Sequence, residues 1–165
     1  MDNGLWCYGP AMFAQIKSAV EEVLDVDVQK VEPLDKGLVN CVYKLETTWG
    51  TVVVRIFSHK NWPEEGKLQL IDQKLSIARI PHPLLLYFSS DNMFFPNGFM
   101  VYEYVDGVDG RDAILSGKIS LGDFYERLGN MARGFHGIKC TQYGDLRGFW
   151  IGNYDNLTDY LKKLR

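Results

Sequence analysis

Residues 38–57 read LVNCVYKLETTWGTVVVRIF and are the most informative stretch of the chain. Two runs rich in β-branched and aromatic residues, Leu38 to Thr47 and Thr51 to Phe57, flank a Trp49-Gly50 turn. Apolar runs around a short glycine turn are typical of a β-hairpin. Arg55 interrupts the second run, and a cation on a half-buried strand needs either an anion or a route to water.

Further strands are predicted on both sides of this hairpin. Val28 to Val31 precedes it, and the apolar, aromatic runs Leu84 to Ser89 and Gly98 to Val105 follow it. The turn-forming residues Ser90-Asp91-Asn92 and Pro96-Asn97-Gly98 separate the last two runs. Together with the helices described next, these runs predict an α+β fold with a sheet of five antiparallel strands.

Helical spacing of apolar residues predicts helices in the remaining segments. The first helix follows Pro10, and the second covers Lys67 to Arg79. The third follows Ser120 as its N-cap, and the fourth includes Leu157, Leu161 and Leu164. The third of these helices has an apolar stripe of Leu121, Phe124, Leu128, Met131, Phe135 and Ile138. Gly107 and Gly110 follow the last predicted strand, so we expect a boundary there between residues 1–105 and residues 106–165.

The composition is that of an ordinary globular chain: of 165 residues, 46% are hydrophobic and 24% are charged, and the formal net charge is -3. This charge would not attract nucleic acid or an anionic membrane, so neither is an expected partner. No basic, apolar leader opens the chain and no apolar run reaches the roughly 18 residues of a membrane span. Cys7, Cys41 and Cys140 form no C-x-x-C pair, which argues against a disulfide framework or a zinc site and favours a cytoplasmic location.

Several segments resemble, in order, those of the aminoglycoside phosphotransferase and choline kinase family, which has a protein-kinase-like fold. They are Asp35–Leu45, Val52–Ile56, Ile80–Pro83, Met100–Gly107, Leu128–Ile138 and Tyr143-Gly144. The resemblance implies that residues 1–105 form a nucleotide-binding N-lobe and that residues 106–165 form the hinge and the first helices of an incomplete helical C-lobe. It also implies transfer of the γ-phosphate of ATP or GTP to a hydroxyl of a small-molecule acceptor such as an aminoglycoside or choline.

The resemblance assigns phosphate-binding residues. Gly37, with Asn40 after it, would form a turn that passes close to phosphates, where a Cβ would obstruct the approach. The alternative for Gly37 is a hairpin glycine with positive φ. Arg55 would hold the α- and β-phosphates and pair with a helix carboxylate, whereas the alternative is an edge-strand arginine whose head group reaches water.

Candidates for the carboxylate and for the base-binding segment follow from the same resemblance. Asp72 is the first choice as partner of Arg55 and Glu65 the second, with a surface carboxylate as the alternative for Asp72. The segment that begins at Met100 resembles the hinge strand, in which the backbones of Glu103 and Val105 would recognise the base. Its alternating side chains are also expected to be part of the core.

The catalytic loop of the family is missing from this sequence. His59, His82 and His136 are not followed by aspartate two positions later, so no His-Gly-Asp loop is present, and no metal-ligand spacing occurs. By resemblance the chain ends before that loop, so we expect Mg²⁺ to bind only with the missing C-terminal part and this chain alone to be inactive. The alternative is a truncated, non-catalytic protein that binds nucleotide or self-associates through an exposed apolar surface facing the absent lobe.

Overall fold

The computed structural model describes residues 9–34, 40–60, 65–139 and 154–163. The helices in these ranges are α1 (Pro10–Leu24), α2 (Glu65–Ile77), α3 (Gly110–Leu115), α4 (Leu121–Gly137) and α5 (Leu157–Lys163). The strands are β1 (Val28–Pro33), β2 (Cys41–Thr47), β3 (Gly50–Ile56), β4 (Leu85–Ser89) and β5 (Phe99–Glu103). The predicted α+β class with five antiparallel strands is confirmed, and only α3 was not predicted, because it is too short to show helical periodicity.

The strands form one antiparallel sheet in the order β1-β2-β3-β5-β4. The predicted hairpin lies at its centre, since β2 and β3 pair from Cys41 opposite Ile56 to a turn at Thr48 and Trp49. The other edge of β3 pairs with β5, so β3 is an interior strand. The alternative in which Arg55 lies on an edge strand is therefore wrong.

The core of the sheet lies between α1 and one of its faces. Successive residues of a strand point to opposite faces, and from Cys41 to Thr47 they alternate between buried and half-buried. The ring of Phe13 on α1 meets the ring of Tyr43 edge to face, with centroids 6.1 Å apart. The buried core consists of Ile16, Ala19, Val20, Leu24, Val26, Val28, Cys41, Tyr43, Leu45, Val52, Val54, Ile56, Phe95, Phe99 and Val101.

The turn before β5 requires a glycine. Gly98 has a φ of +91°, and a Cβ at this position would lie 2.4 Å from the carbonyl oxygen of Ser89. Its N–H donates to the carbonyl of Phe95 at 2.9 Å, and its own carbonyl accepts the N–H of Phe57 at 3.0 Å. The predicted turn over residues 96–98 is confirmed, and its hydrogen bonds connect β5 to the end of β3.

Contacts group the residues into two compact units. The first, Met1–Glu65 with Pro83–Tyr104, contains α1 and the whole sheet. The second, Gly66–His82 with Val105–Arg165, contains α3, α4, α5 and all but the first residue of α2. The lobe boundary predicted between residues 105 and 106 stays a prediction.

Helix α4 begins as the sequence predicts and leaves its apolar stripe exposed. The Ser120 hydroxyl oxygen accepts the N–H of Asp123 at 3.0 Å, which caps the helix. No residue of α4 is buried, and Leu121 is 57% exposed. Helical spacing shows which side chains share a face, but it does not show what covers that face. Over the described ranges, no helix is both long and apolar enough to cross a membrane.

The cysteine spacing argues against a disulfide framework, but Cys41 is disulfide-bonded. Cys41 begins β2 and is 5% exposed, on the face that packs against α1. The spacing of cysteines along a chain does not reveal which of them the fold brings within bonding distance, so the sequence could not indicate this bond.

Replacing Leu45 by alanine tests the core. Leu45 is fully buried between the sheet and α1, so Leu45→Ala should lower the free energy of unfolding by about 2–5 kcal/mol. Urea denaturation followed by circular dichroism measures the change. Met93 belongs to the same unit and is 84% exposed, so Met93→Ala is the control and should stay within about 0.5 kcal/mol of the wild type. Equal losses in both variants would contradict the described core.

Candidate functional site

The sheet face opposite α1 carries the arginine that the sequence assigns to phosphate binding. Paired residues of antiparallel strands point to the same face, so the register identifies its members. Two rows lie on it: Val42, Arg55 and Met100 in one, and Lys44, Val53 and Tyr102 in the next. We call this surface the Arg55 face. All of its members belong to the first unit.

Arg55 is a half-buried cation without an ion-pair partner in the described ranges. Its electrostatic neighbour is the phenol of Tyr102. Burial raises the pKa of Tyr102, and the positive charge of Arg55 opposes that rise. A cation that is partly removed from water and has no carboxylate at ion-pair distance among the described residues favours an anionic ligand.

Lys44 is the second cation of the Arg55 face. Its Nζ lies 4.5 Å from the centroid of the Tyr104 ring, which is a cation–π contact. Tyr104 directly follows β5, and its N–H donates to the Thr51 carbonyl of β3 at 3.3 Å. Because β3 lies between β2 and β5, this contact between Lys44 and Tyr104 spans β3. The charge of Lys44 therefore lies at the Tyr104 end of the face, whereas Arg55 lies near the start of β2.

The carboxylates beside Lys44 already have another partner. Lys30 on β1 lies 2.7 Å from Glu32 and 3.7 Å from Glu46. The hydrogen bond from Lys30 lowers the pKa of the Glu32 carboxyl, and the charge of Lys44 adds a smaller effect in the same direction. Within the described residues no carboxylate lies at ion-pair distance from Lys44 itself. Its ammonium group thus keeps N–H donors available to a ligand.

Asn40 holds the start of β2 in place. Its Oδ1 accepts hydrogen bonds from the N–H and the hydroxyl of Ser58, at 3.1 and 3.4 Å, and the side chain is buried. Asn97 in turn donates from Nδ2 to the Ser58 carbonyl at 2.9 Å. These bonds connect the start of β2, the segment after β3 and the turn before β5. They therefore hold Asn40, the residue that directly precedes β2, in place. Gly37, the predicted phosphate-binding glycine, lies outside the described residues.

The predicted base-binding residues occupy the end of β5 and the segment after it. Met100 is 9% exposed and lies directly opposite Arg55. The N–H of Glu103 donates to the Leu84 carbonyl at 2.9 Å, so a ligand would meet Glu103 through its carbonyl oxygen. Val105 is exposed, and its N–H makes no backbone hydrogen bond to any described residue. Glu103 belongs to the first unit and Val105 to the second.

Asp72 has an imidazole partner within the second unit. Its Oδ1 lies 3.4 Å from Nε2 of His82, and the hydroxyl of Ser76 lies 3.3 Å from the same nitrogen. Nδ1 of His82 lies 2.6 Å from the Ile80 carbonyl, and because a carbonyl only accepts, Nδ1 carries a proton. Nε2 can then accept from Ser76 when the ring is neutral and donate to Asp72 when the ring is protonated.

The remaining carboxylate assignments stay predictions. The pairing of Asp72 with Arg55 is one of them, and the side chain of Glu65, the second choice, lies outside the described residues. In the described ranges no group of three His, Cys, Asp or Glu residues is placed to hold a metal ion. We therefore derive no step through the metal.

Sequence reasoning missed Lys44, Ser58 and the His82 contacts. The alternation of β2 contains a signal for Lys44, because it puts Lys44 on the face opposite the core residues Tyr43 and Leu45. No periodic pattern could reveal the bonds of Ser58 or His82, since both residues lie outside helices and strands. Their partners depend on how the chain turns between elements.

The family of the chain follows from comparison with known proteins. A family model described as the phosphotransferase enzyme family matches residues 30–162, which is most of the chain. The chain therefore belongs to the phosphotransferase enzyme family. Among solved structures it is similar to a "putative aminoglycoside phosphotransferase" from Ralstonia eutropha, with 21% sequence identity and a TM-score of 0.43. That alignment covers 58% of this chain and 28% of the other, so the chain spans less than a third of that protein. No curated protein sequence matches it.

The titration of Tyr102 tests its proximity to Arg55. The Tyr102 phenol should ionise above its ordinary pKa of about 10, and Arg55→Met should raise that pKa further by removing the opposing charge. Because the folded pKa is raised, the corresponding stability is complete below about pH 10 and is lost as the pH rises through the folded value. Carbon-13 NMR of labelled tyrosine, assigned with Tyr102→Phe, measures both titrations.

Lys30→Met is the control for this titration, because Lys30 lies on the edge strand β1 and pairs with Glu32 and Glu46. This substitution should leave the titration of Tyr102 unchanged. A Tyr102 pKa at the ordinary value, or one that does not respond to Arg55→Met, would contradict the described environment.

Proposed function

We propose that this chain is the nucleotide-binding part of a small-molecule kinase that transfers the γ-phosphoryl group of ATP or GTP to a hydroxyl of its acceptor. One observation carries the proposal: Arg55 is a half-buried cation on an interior strand and has no ion-pair partner in the described ranges. Membership of the phosphotransferase enzyme family supports phosphoryl transfer as the reaction.

A phosphate chain complements the Arg55 face in charge. The planar guanidinium donates paired hydrogen bonds that match two phosphate oxygens. Val53 and Met100 beside it are 6% and 9% exposed, so little water competes for these bonds. The start of β2, held by Asn40, lies at the same end of the face, directly after the glycine turn that the resemblance assigns to phosphates.

A nucleotide base complements the segment at the end of β5. The Glu103 carbonyl is an acceptor for a donor on a base edge, and the resemblance assigns the Val105 backbone to the base as well. The phosphate end and the base end then correspond to the two ends of the Arg55 face. The presence of a base end as well as a phosphate end supports a nucleotide rather than a simple phosphate as the ligand.

Catalysis requires further groups that this sequence does not contain. Phosphoryl transfer needs a residue that positions the acceptor hydroxyl and ligands for Mg²⁺, and no His-Gly-Asp loop is present. We therefore assign nucleotide binding to this chain and the transfer step to an enzyme that includes those groups. The resemblance suggests an aminoglycoside or a choline-like amino alcohol as the acceptor.

The loss of nucleotide affinity in Arg55→Ala tests this function. A charge-assisted hydrogen bond to phosphate contributes about 1.5–3 kcal/mol, so Arg55→Ala should weaken ATP and GTP binding by roughly 10- to 150-fold. Isothermal titration calorimetry measures the affinities of the wild type and the variant. Arg55→Lys should retain part of the affinity, because it keeps the charge but loses the paired geometry.

Lys30→Ala is the matched control, since it removes a cation of the same sheet that already pairs with Glu32 and Glu46. Its affinity for nucleotide should equal that of the wild type. Equal binding by wild type and Arg55→Ala would reject the phosphate role of Arg55. No binding of any nucleotide by the folded wild type would reject the proposed function.

An alternative function is favoured by the exposed apolar stripe of α4. Leu121, Leu128 and Phe135 are 57%, 48% and 43% exposed along one side of this helix. A non-catalytic kinase-like chain that binds nucleotide or associates with itself through this surface would use the same fold without transferring phosphate.

Turnover assays with the purified 165-residue chain separate binding from catalysis. We expect no Mg²⁺-dependent ATP or GTP hydrolysis and no phosphorylation of an aminoglycoside or amino alcohol, because positioning and charge neutralisation supply most of phosphoryl-transfer catalysis. Steady turnover would show that a carboxylate of this chain serves the reaction. Sedimentation velocity tests the alternative of self-association through the α4 stripe. This alternative requires that the wild type sediments as an associated species and that Leu128→Lys sediments as a monomer.

A further inference from the structure

Lys44 is the charged residue of the Arg55 face to which the proposed function gives no role. We propose that Lys44 makes this site select 6-oxopurine nucleotides, such as GTP, over adenine nucleotides. The proposal rests on the function proposed above, because it assumes that a nucleotide base lies at the end of β5.

The position of the Lys44 charge is determined by two strands. The residue lies on β2 opposite Val53, and its ammonium reaches the ring of Tyr104, 4.5 Å from the centroid. Tyr104 immediately follows Glu103, whose carbonyl is assigned to the base. The charge therefore lies at the ring of the residue that follows Glu103, whereas Arg55 lies one row further along the sheet.

The Lys44 ammonium is also free to bind a ligand group. Its neighbouring carboxylates, Glu32 and Glu46, lie 2.7 and 3.7 Å from Lys30, and no ion pair to Lys44 forms in the described ranges. The ring face attracts the ammonium electrostatically, but this contact does not occupy all three N–H donors of the ammonium. Tyr104 thus positions the charge while leaving donors for a second partner.

The chemistry of the two purines determines which base this charge favours. Guanine presents two acceptors on one edge, O6 and N7, and lysine is a common partner for them. Adenine has the donor N6–H₂ in place of O6, so a nearby ammonium would face a donor instead of an acceptor. A fixed ammonium beside the base therefore stabilises a bound 6-oxopurine and disfavours adenine.

Binding of GTP, ITP and ATP to the intact chain tests the proposal by isothermal titration calorimetry. ITP has the O6 of GTP but lacks its 2-amino group, so it isolates recognition of O6. We expect GTP and ITP to bind about tenfold more tightly than ATP. Lys44→Met should abolish this difference, because it removes both the hydrogen bond to O6 of GTP and ITP and the unfavourable contact with N6–H₂ of ATP. GTP and ITP should then bind more weakly and ATP should bind no more weakly than to the wild type, whereas Lys44→Arg should retain the preference.

Three further variants serve as controls. Lys30→Met removes a cation of β1 that is engaged with Glu32 and Glu46 and should keep the preference for GTP. Tyr104→Phe keeps the aromatic ring and should keep the preference, whereas Tyr104→Leu removes the ring that positions Lys44 and should reduce it. Circular dichroism melting of each variant establishes that the sheet is folded.

The outcomes separate this proposal from the proposed function. Equal binding of GTP and ATP by the wild type, or a preference that survives Lys44→Met, would overturn the selectivity of Lys44 while leaving nucleotide binding intact. Tight GTP binding with ITP as weak as ATP would also overturn it, because the 2-amino group would then be recognised. A uniform loss for all three nucleotides in Lys44→Met would assign Lys44 to phosphate. No binding of any nucleotide would reject both proposals.

Discussion

The first unit depends on the burial of β3 on both faces of the sheet. Val52 and Val54 lie in the core against α1, Val53 is 6% exposed on the opposite face, and β2 and β5 pair with its two edges. A shift of one residue in this register would exchange the faces of all these side chains and would put the Arg55 guanidinium into the apolar core. The cost of burying that charge excludes a one-residue shift, and the observed register positions every residue of the Arg55 face.

The distribution of hydrogen bonds and ion pairs decides which polar groups remain available to a ligand. The Asn40 oxygen is occupied by Ser58, and the carboxylates of Glu32 and Glu46 are occupied by Lys30. The cations of the Arg55 face have no such partners in the described ranges. A face with unpaired cations and engaged carboxylates is electrostatically suited to a phosphate-bearing ligand, which agrees with membership of the phosphotransferase enzyme family.

Much of the fold could be predicted because its signals are local. The alternation of β2, the turn at Trp49-Gly50, the glycine turn at residue 98 and the Ser120 cap each depend on residues close together in sequence. The disulfide of Cys41 could not be predicted in this way, since cysteine spacing contains no distance information. The exposure of the apolar stripe of α4 could not be predicted either, because periodicity does not identify the surface that covers a helix.

The sequence by itself determined the strands, most of the helices and the presence of a cation within an apolar strand. It did so because the period of the apolar residues and the turn chemistry are properties of neighbouring residues. Only the tertiary structure decided that β3 is an interior strand, that Lys44 reaches Tyr104 across it, and that Asp72 meets His82. Each of these contacts joins residues from different segments, and strand order, register and the path of the loops determine such contacts through the packing of the whole chain.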